Sequence, residues 1–220
     1  MNQPFAVLDC ALIAIATGQK AHDLRELRDR LITMSDPGIM YYHFWDALLR
    51  PRFVDPEYQN DFAAWVWHDL HDRRLAERLS ILNPADYRLM DDLRHKMIEV
   101  IEERMDEEDF MFYPDADHPF FFCRSQIVIF DTHFRIDDPR KLSEIIAQMS
   151  LGSIFYHFID SRRRTHSGIN DFSVWLRGFE GVYEVLADEI DAIDPYFDSL
   201  PVLRNELVTV VEKYFKKGNH

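Results

Sequence analysis

The residues best suited to chemistry lie in two nine-residue stretches that share the pattern Tyr-His-Phe-x-Asp-x-x-x-Arg. One runs from Tyr42 to Arg50, the other from Tyr156 to Arg164, and they lie 114 residues apart. An imidazole beside a carboxylate is the usual pairing for general acid–base work, because the carboxylate fixes the tautomer and raises the basicity of the ring. A guanidinium offers a planar fork to phosphate or carboxylate. On a helix turning about 100° per residue, His43, Asp46 and Arg50 fall at about 0°, 300° and 340°, one narrow stripe, and His157, Asp160 and Arg164 repeat it. Met40, Tyr41, Tyr42, Phe44, Trp45, Leu48 and Leu49 make the rest of the first helix apolar.

Such a stripe has two uses. It can be a satisfied polar seam, with His donating to Asp or a backbone carbonyl, Asp paired with Arg at i and i+4, and the nearby Asn-Asp pair closing the network. It can also be half of a bowl, in which the two stripes face each other over aromatic walls. Two imidazoles and two carboxylates suit a divalent metal, but adjacent guanidinium groups repel a cation. The expected ligand is therefore an anion, and no metal or cofactor is expected. The run Arg162-Arg163-Arg164 strengthens this, since Leu48 and Leu49 hold the first two of those places in the earlier stretch. The candidate binding set is His43, Asp46, Arg50, His157, Asp160, Arg162 and Arg164, with no residue assigned to bond-breaking. His68-x-x-His71-Asp72 is a weaker candidate, because Gly178, Gly181 and Val182 stand in the matching places and no metalloprotease glutamate accompanies it. A phosphate-binding loop, a nucleophile elbow, a glycine-rich dinucleotide fingerprint and a CxxC pair are all missing from the sequence.

The elements that must position these residues read as two copies. Asn60-Asp61-Phe62-x-x-Trp65 returns as Asn170-Asp171-Phe172-x-x-Trp175, and Leu93-Arg94 as Leu203-Arg204, at an offset of 110, so the earlier copy carries four extra residues between Arg50 and Asn60. Cys10 and Cys123 are matched at an offset of 113. Each copy opens on a short strand, Ala11–Ile15 or Ile127–Phe130, followed by a helix with an apolar stripe: Leu24, Leu27, Leu31 and Ile32, or Leu142, Ile145, Ile146 and Met149. The motif helix comes next, then a helix capped by Asn60 or Asp61 and by Asn170 or Asp171, then a last helix carrying Leu93, Met97, Val100 and Ile101, or Leu203, Leu207, Val210 and Val211. The expected fold is mainly α: a tandem pseudo-two-fold repeat of about four helices each, with one short strand per repeat that pairs with its counterpart. The repeats span 10–105 and 121–215, an acidic linker spans 106–120, and the whole forms one compact unit.

Composition narrows the function. The 220 residues are 47% hydrophobic with a formal charge of −14. That balance opposes binding to nucleic-acid backbones or anionic lipid. Half of it sits in residues 102–117, where eight acids face Arg104, which reads as a solvated linker. No apolar run approaches the ~20 residues needed to span a bilayer, Met1 to Ala16 lacks a basic n-region, and two cysteines make no disulfide framework. A cytoplasmic protein with free thiols is expected.

Ala16-Thr17-Gly18-x-Lys20-Ala21, Leu24-Arg25-Glu26-Leu27, Tyr-Tyr-His-Phe, Leu49-Arg50-Pro51-Arg52-Phe53, Asn-Asp-Phe-Ala-x-Trp and Ser-Ile-Phe-Tyr-His-Phe together resemble a family of uncharacterised bacterial and archaeal proteins, a domain of unknown function. The resemblance spans nearly the whole chain and implies no activity. The leading reading is a non-catalytic binding or regulatory module for an anionic small molecule or a protein partner. The other readings are an enzyme using His43 or His157 as general acid or base, oriented by Asp46 or Asp160, and a structural adaptor presenting Trp65, Trp67 and Phe110 to Tyr113.

Overall fold

The computed structural model describes residues 3–50, 57–107, 114–165, 168–196 and 198–218. It is mainly helical, with a two-stranded sheet of β1 (Phe5–Ala21) and β2 (Phe120–Ile136). The chain divides into two compact units, one continuous (12–126) and one discontinuous (1–11 with 127–220). Both boundaries fall inside the strands, between Ala11 and Leu12 and between Gln126 and Ile127, and not at the acidic stretch. Each strand therefore gives its first residues to the unit built mostly by the other half of the chain. The strands run 17 residues each, far beyond the short apolar runs, because Phe5, Val7, Phe120 and Phe122 alternate as buried residues and carry the extended backbone upstream.

In the continuous unit, α1 (Leu24–Thr33) buries Leu24, Leu27 and Leu31 while Ile32 stays exposed. It packs on α5 (Met90–Asp106), and α3 (Asp61–His68) packs on α4 (Arg73–Ser80). Between α1 and α3 lies α2 (Pro37–Phe44), opened by Asp36 as cap and Pro37 at N1 and buried from Ile39 to Phe44. A helix that is apolar all round has no solvent face, and α2 sits inside the unit. Helix α5 runs through Asp106, and Arg104 near its end pairs with Asp72 at 2.9 Å. The acidic run thus begins in the last turns of a helix; Glu108 and Asp109 lie outside the described residues, as do residues 51–56.

In the discontinuous unit, α6 (Leu142–Gln148) packs on α11 (Leu200–Lys216), and α9 (Asp171–Arg177) on α10 (Glu184–Asp191). The motif segment comprises α7 (Leu151–Ile154), a π-helical stretch from Phe155 to Asp160, and α8 (Ser161–Arg164).

Several contacts recur in the two units. Thr17 Oγ1 donates to the Phe122 carbonyl in one, and Thr132 Oγ1 to the Val7 carbonyl in the other. Trp65 Nε1 donates to the His118 carbonyl at 2.8 Å, and Trp175 Nε1 to the Gln3 carbonyl at 3.0 Å. Gly18 and His133, one residue past those threonines, both hold a positive φ, 76° and 65°. The cysteines break the pattern. Cys123 offers its N–H to a histidine as Leu8 does, whereas the Cys10 thiol donates to the Gly152 carbonyl at 3.3 Å. Cys10 and Cys123 therefore make different contacts, contrary to the 113-residue match.

The motif helices differ at one glycine. A Cβ on Gly152 would fall 2.5 Å from the Cys10 carbonyl oxygen and against Asp9, while a Cβ on Gly38 would meet only the Asp36 side chain, 2.9 Å away. The first neighbour is strand backbone and cannot give; the second can rotate. Gly152→Ala is expected to cost about 1–3 kcal/mol by overpacking and Gly38→Ala well under that, read from urea midpoints of the two variants.

Candidate functional site

The helix that was to carry His, Asp and Arg as one stripe is not uniform in either unit. After Phe44 the chain tightens into a 3-10 turn over Asp46–Leu49, and in the other unit it widens into the π-helical stretch. A fixed 100° step no longer holds, and the partners change accordingly. Arg50 Nη2 pairs with Asp61 at 2.5 Å in place of Asp46, and Asp46 accepts from the Ser125 hydroxyl. Arg164 keeps the expected bond to Asp160 at 2.9 Å and adds Asp171 at 3.0 Å. Arg163 also pairs with Asp160, at 2.7 Å.

The histidines are alike. His43 Nδ1 lies 2.7 Å from Asp61 Oδ2 and its Nε2 accepts the Cys123 N–H at 3.0 Å. His157 Nδ1 lies 2.8 Å from Asp171 Oδ2 and its Nε2 accepts the Leu8 N–H at 2.9 Å. A backbone N–H can only donate, so Nε2 must be bare and Nδ1 must carry the proton. Both lone-pair and proton positions of each ring are thereby spent, and the rings are 3% and 2% exposed. Burial holds the His43 pKa below the usual histidine value against the opposing pull of Asp61. A ring in this state can neither accept a substrate proton nor ligate a metal without breaking a strand contact.

The orienting carboxylates are not the motif aspartates. They are Asp61 and Asp171, the first residues of α3 and α9, delivered by the caps Asn60 and Asn170, whose side chains accept from Ala63 N and Ser173 N. The caps follow the expectation, and Asp61 and Asp171 close the network as the satisfied-seam reading has the Asn-Asp pair do. Burial disfavours the Asp61 charge, but His43 and Arg50 more than offset this and hold its pKa below the carboxylate range.

The remaining candidates scatter. Arg162 stacks its guanidinium over Phe158 at 4.8 Å and donates Nε to the Phe158 carbonyl. Its Nη2 is buried without a hydrogen-bond partner among the described residues, and burial lowers its pKa. His68 and His71 do not share a helical face, since α3 ends at His68 and His71 turns to a φ of 57° to meet Asp117 at 2.9 Å. Trp65 is buried and Trp67 is half-buried against Tyr58; Phe110 to Tyr113 lie outside the described residues. Among the described residues no group of three or more His, Cys, Asp or Glu is placed to hold a metal, and no helix is long and apolar enough to cross a membrane.

One feature joins the network to solvent. In the continuous unit a cleft of about 310 Å³ is lined by Tyr42, His43, Arg50, Asp61, Ala64, Trp65, His68, Asp69, Pro119, Phe120, Phe121 and Cys123. Arg50, its side chain 32% exposed, is the cation at this cleft. Burial raises the Cys123 pKa, keeping the thiol protonated and poorly nucleophilic.

A model of a family of unknown function (DUF5752) matches residues 2–212. The chain belongs to that family. The solved structure of OrfY from Thermoproteus tenax is similar to it, with 27% identity, a TM-score of 0.80 and 97% of each chain covered. No curated protein matches. The DUF5752 match includes both histidine networks and the cleft.

Proposed function

We propose that the chain is a non-catalytic binding module, formed by internal duplication, that takes a small anionic ligand at the Arg50 cleft. The observation that carries this reading is a guanidinium one-third exposed in a cleft of about 310 Å³, a volume at the lower end of small-molecule sites. His43 and Asp61 position Arg50 and touch no ligand. In the matching network Arg164 is shared between two carboxylates, and Arg162 packs over Phe158 away from the Arg50 cleft. The spent histidine nitrogens weigh against the acid–base reading. The matched tryptophan, threonine and histidine contacts support the duplication, and two free cysteines suit a reducing cytoplasm.

The test is thermal unfolding with acetate, inorganic phosphate, phosphate esters and aromatic carboxylates. Stabilisation by an anion should grow with concentration, to about 2.7 kcal/mol at a hundred times Kd, and should vanish in Arg50→Gln but persist in Arg164→Gln. No response to any anion, or an equal response in both variants, refutes the reading.

A second reading, an adaptor for a protein partner, is favoured by the exposed side chains of Val128, Ile129, Phe130 and Phe134 in β2, since apolar surface of this kind commonly marks a contact.

A further inference from the structure

We infer that the ligand of the Arg50 cleft is an aromatic monocarboxylate and not a phosphorylated compound. This rests on the binding reading above and narrows it to a chemical class.

Charge decides first. Among the described residues lining the cleft, the formal charges are those of Arg50, Asp61 and Asp69, a balance of −1 with histidine counted as neutral. A phosphate monoester brings close to two negative charges and needs several donors to replace its hydration. Among its described residues the cleft offers one guanidinium, already half-committed to Asp61 through Nη2. A single carboxylate needs only the part of the guanidinium that Asp61 leaves; the guanidinium lies over the Tyr42 ring at 5.2 Å, and the exposed His68 lines the same cleft. Asp69 is held back from the ligand by His118, whose Nδ1 lies 2.9 Å from Asp69 Oδ1.

The walls decide the rest. Trp65, Pro119, Phe120 and Phe121 make the cleft mostly apolar, and Phe121 stands 61% exposed at its edge. The other two rings are engaged: Phe120 stacks on Phe62 at 4.8 Å, and Trp65 meets Phe120 edge-on at 5.6 Å. Phe121 is thus the ring with a face to offer. A cavity of about 150 Å³ holds benzene, so about 310 Å³ accommodates two fused rings with a carboxylate. The carboxylate lies on Arg50 and the rings lie against Phe121.

Isothermal titration of the full chain with 2-naphthoate, 2-naphthamide, 2-naphthyl phosphate and inorganic phosphate tests this. 2-Naphthoate should bind at least tenfold more tightly than the amide and the phosphate ester, with no heat from inorganic phosphate. Phe121→Ala should weaken 2-naphthoate at least fivefold with an unchanged Tm, because that side chain supports no core. Arg50→Lys, which keeps a cation near Asp61, should weaken it at least tenfold. If 2-naphthyl phosphate binds as tightly as 2-naphthoate and is lost in Arg50→Lys, the carboxylate class is overturned and the cleft reading survives. If no probe binds, or binding ignores both substitutions, both fall.

Discussion

Replacing His43 with Leu is expected to lower the unfolding free energy by about 3–5 kcal/mol, the range for breaking a buried hydrogen-bonded pair from one side. The Cys123 N–H loses its acceptor inside the unit, and Asp61 keeps only Arg50 as a charged partner. The same substitution should flatten part of the pH profile. Burial keeps the folded His43 pKa below the unfolded value of about 6.5. The unfolded chain therefore takes up a proton that the folded chain refuses, and stability is full above about pH 6.5 and falls as pH drops below it, by at most about 1.4 kcal/mol per pH unit. Asp61, with its pKa also depressed, adds a loss of the same sign only below about pH 4. Urea unfolding of parent and His43→Leu between pH 7 and pH 4.5 separates the two: the parent slopes downward with acidification, and the variant starts lower and slopes less. A parallel slope would mean that His43 is free to protonate in the fold, which its bond to the Cys123 N–H forbids.

This network shows how much the sequence could disclose. Tyr-His-Phe and Asn-Asp-Phe-x-x-Trp were visible as repeated blocks because the chain carries two of each. Helix positions followed from apolar spacing: Leu24, Leu27 and Leu31 are buried as a 3.6-residue stripe requires. What could not be read was which acid meets which base. That choice depends on local helical pitch, and the pitch departs from α in opposite senses over Asp46–Leu49 and Phe155–Asp160. No periodicity rule separates a 3-10 turn from a π stretch over four to six residues. The second partner of each histidine was hidden for another reason. It is a backbone N–H, common to every residue type but proline, supplied by a strand that belongs by sequence to the other half of the chain. The cleft was hidden because Cys123, His68 and Arg50 are brought together only by that exchange. The repeated blocks disclosed Tyr42, His43, Arg50, Asp61 and Trp65 and were silent on the cleft residues Cys123 and His68, opposite which stand Leu8 and Gly178.

Asn60→Ala is expected to cost about 2–4 kcal/mol, more than an ordinary helix cap, because Asn60 makes two kinds of bond while 1% exposed. Its Oδ1 accepts from Ala63 N at 2.8 Å, which caps α3, and its Nδ2 donates to the Leu79 carbonyl at 3.1 Å, which ties α3 to the end of α4. The cap alone is worth about 1 kcal/mol, and the buried tie adds about 1–3. Asn60→Asp separates the two contributions. Aspartate caps a helix as well as asparagine does, so if capping were the whole role this variant would match the parent. Here it loses the donor to Leu79 and places a carboxylate against a carbonyl oxygen, so it should be at least as unstable as Asn60→Ala at pH 7. The loss should also reach the neighbouring network. Asp61 begins the helix that Asn60 holds, and a frayed first turn displaces the carboxylate that fixes the His43 tautomer and draws Arg50 to the cleft floor. Amide exchange at Cys123 N–H, whose acceptor is His43, should therefore quicken in Asn60→Ala relative to the core of α5. Retained protection at Cys123, or an Asn60→Asp variant as stable as the parent, would reduce Asn60 to a cap and cut the proposed link from helix start to ligand cleft.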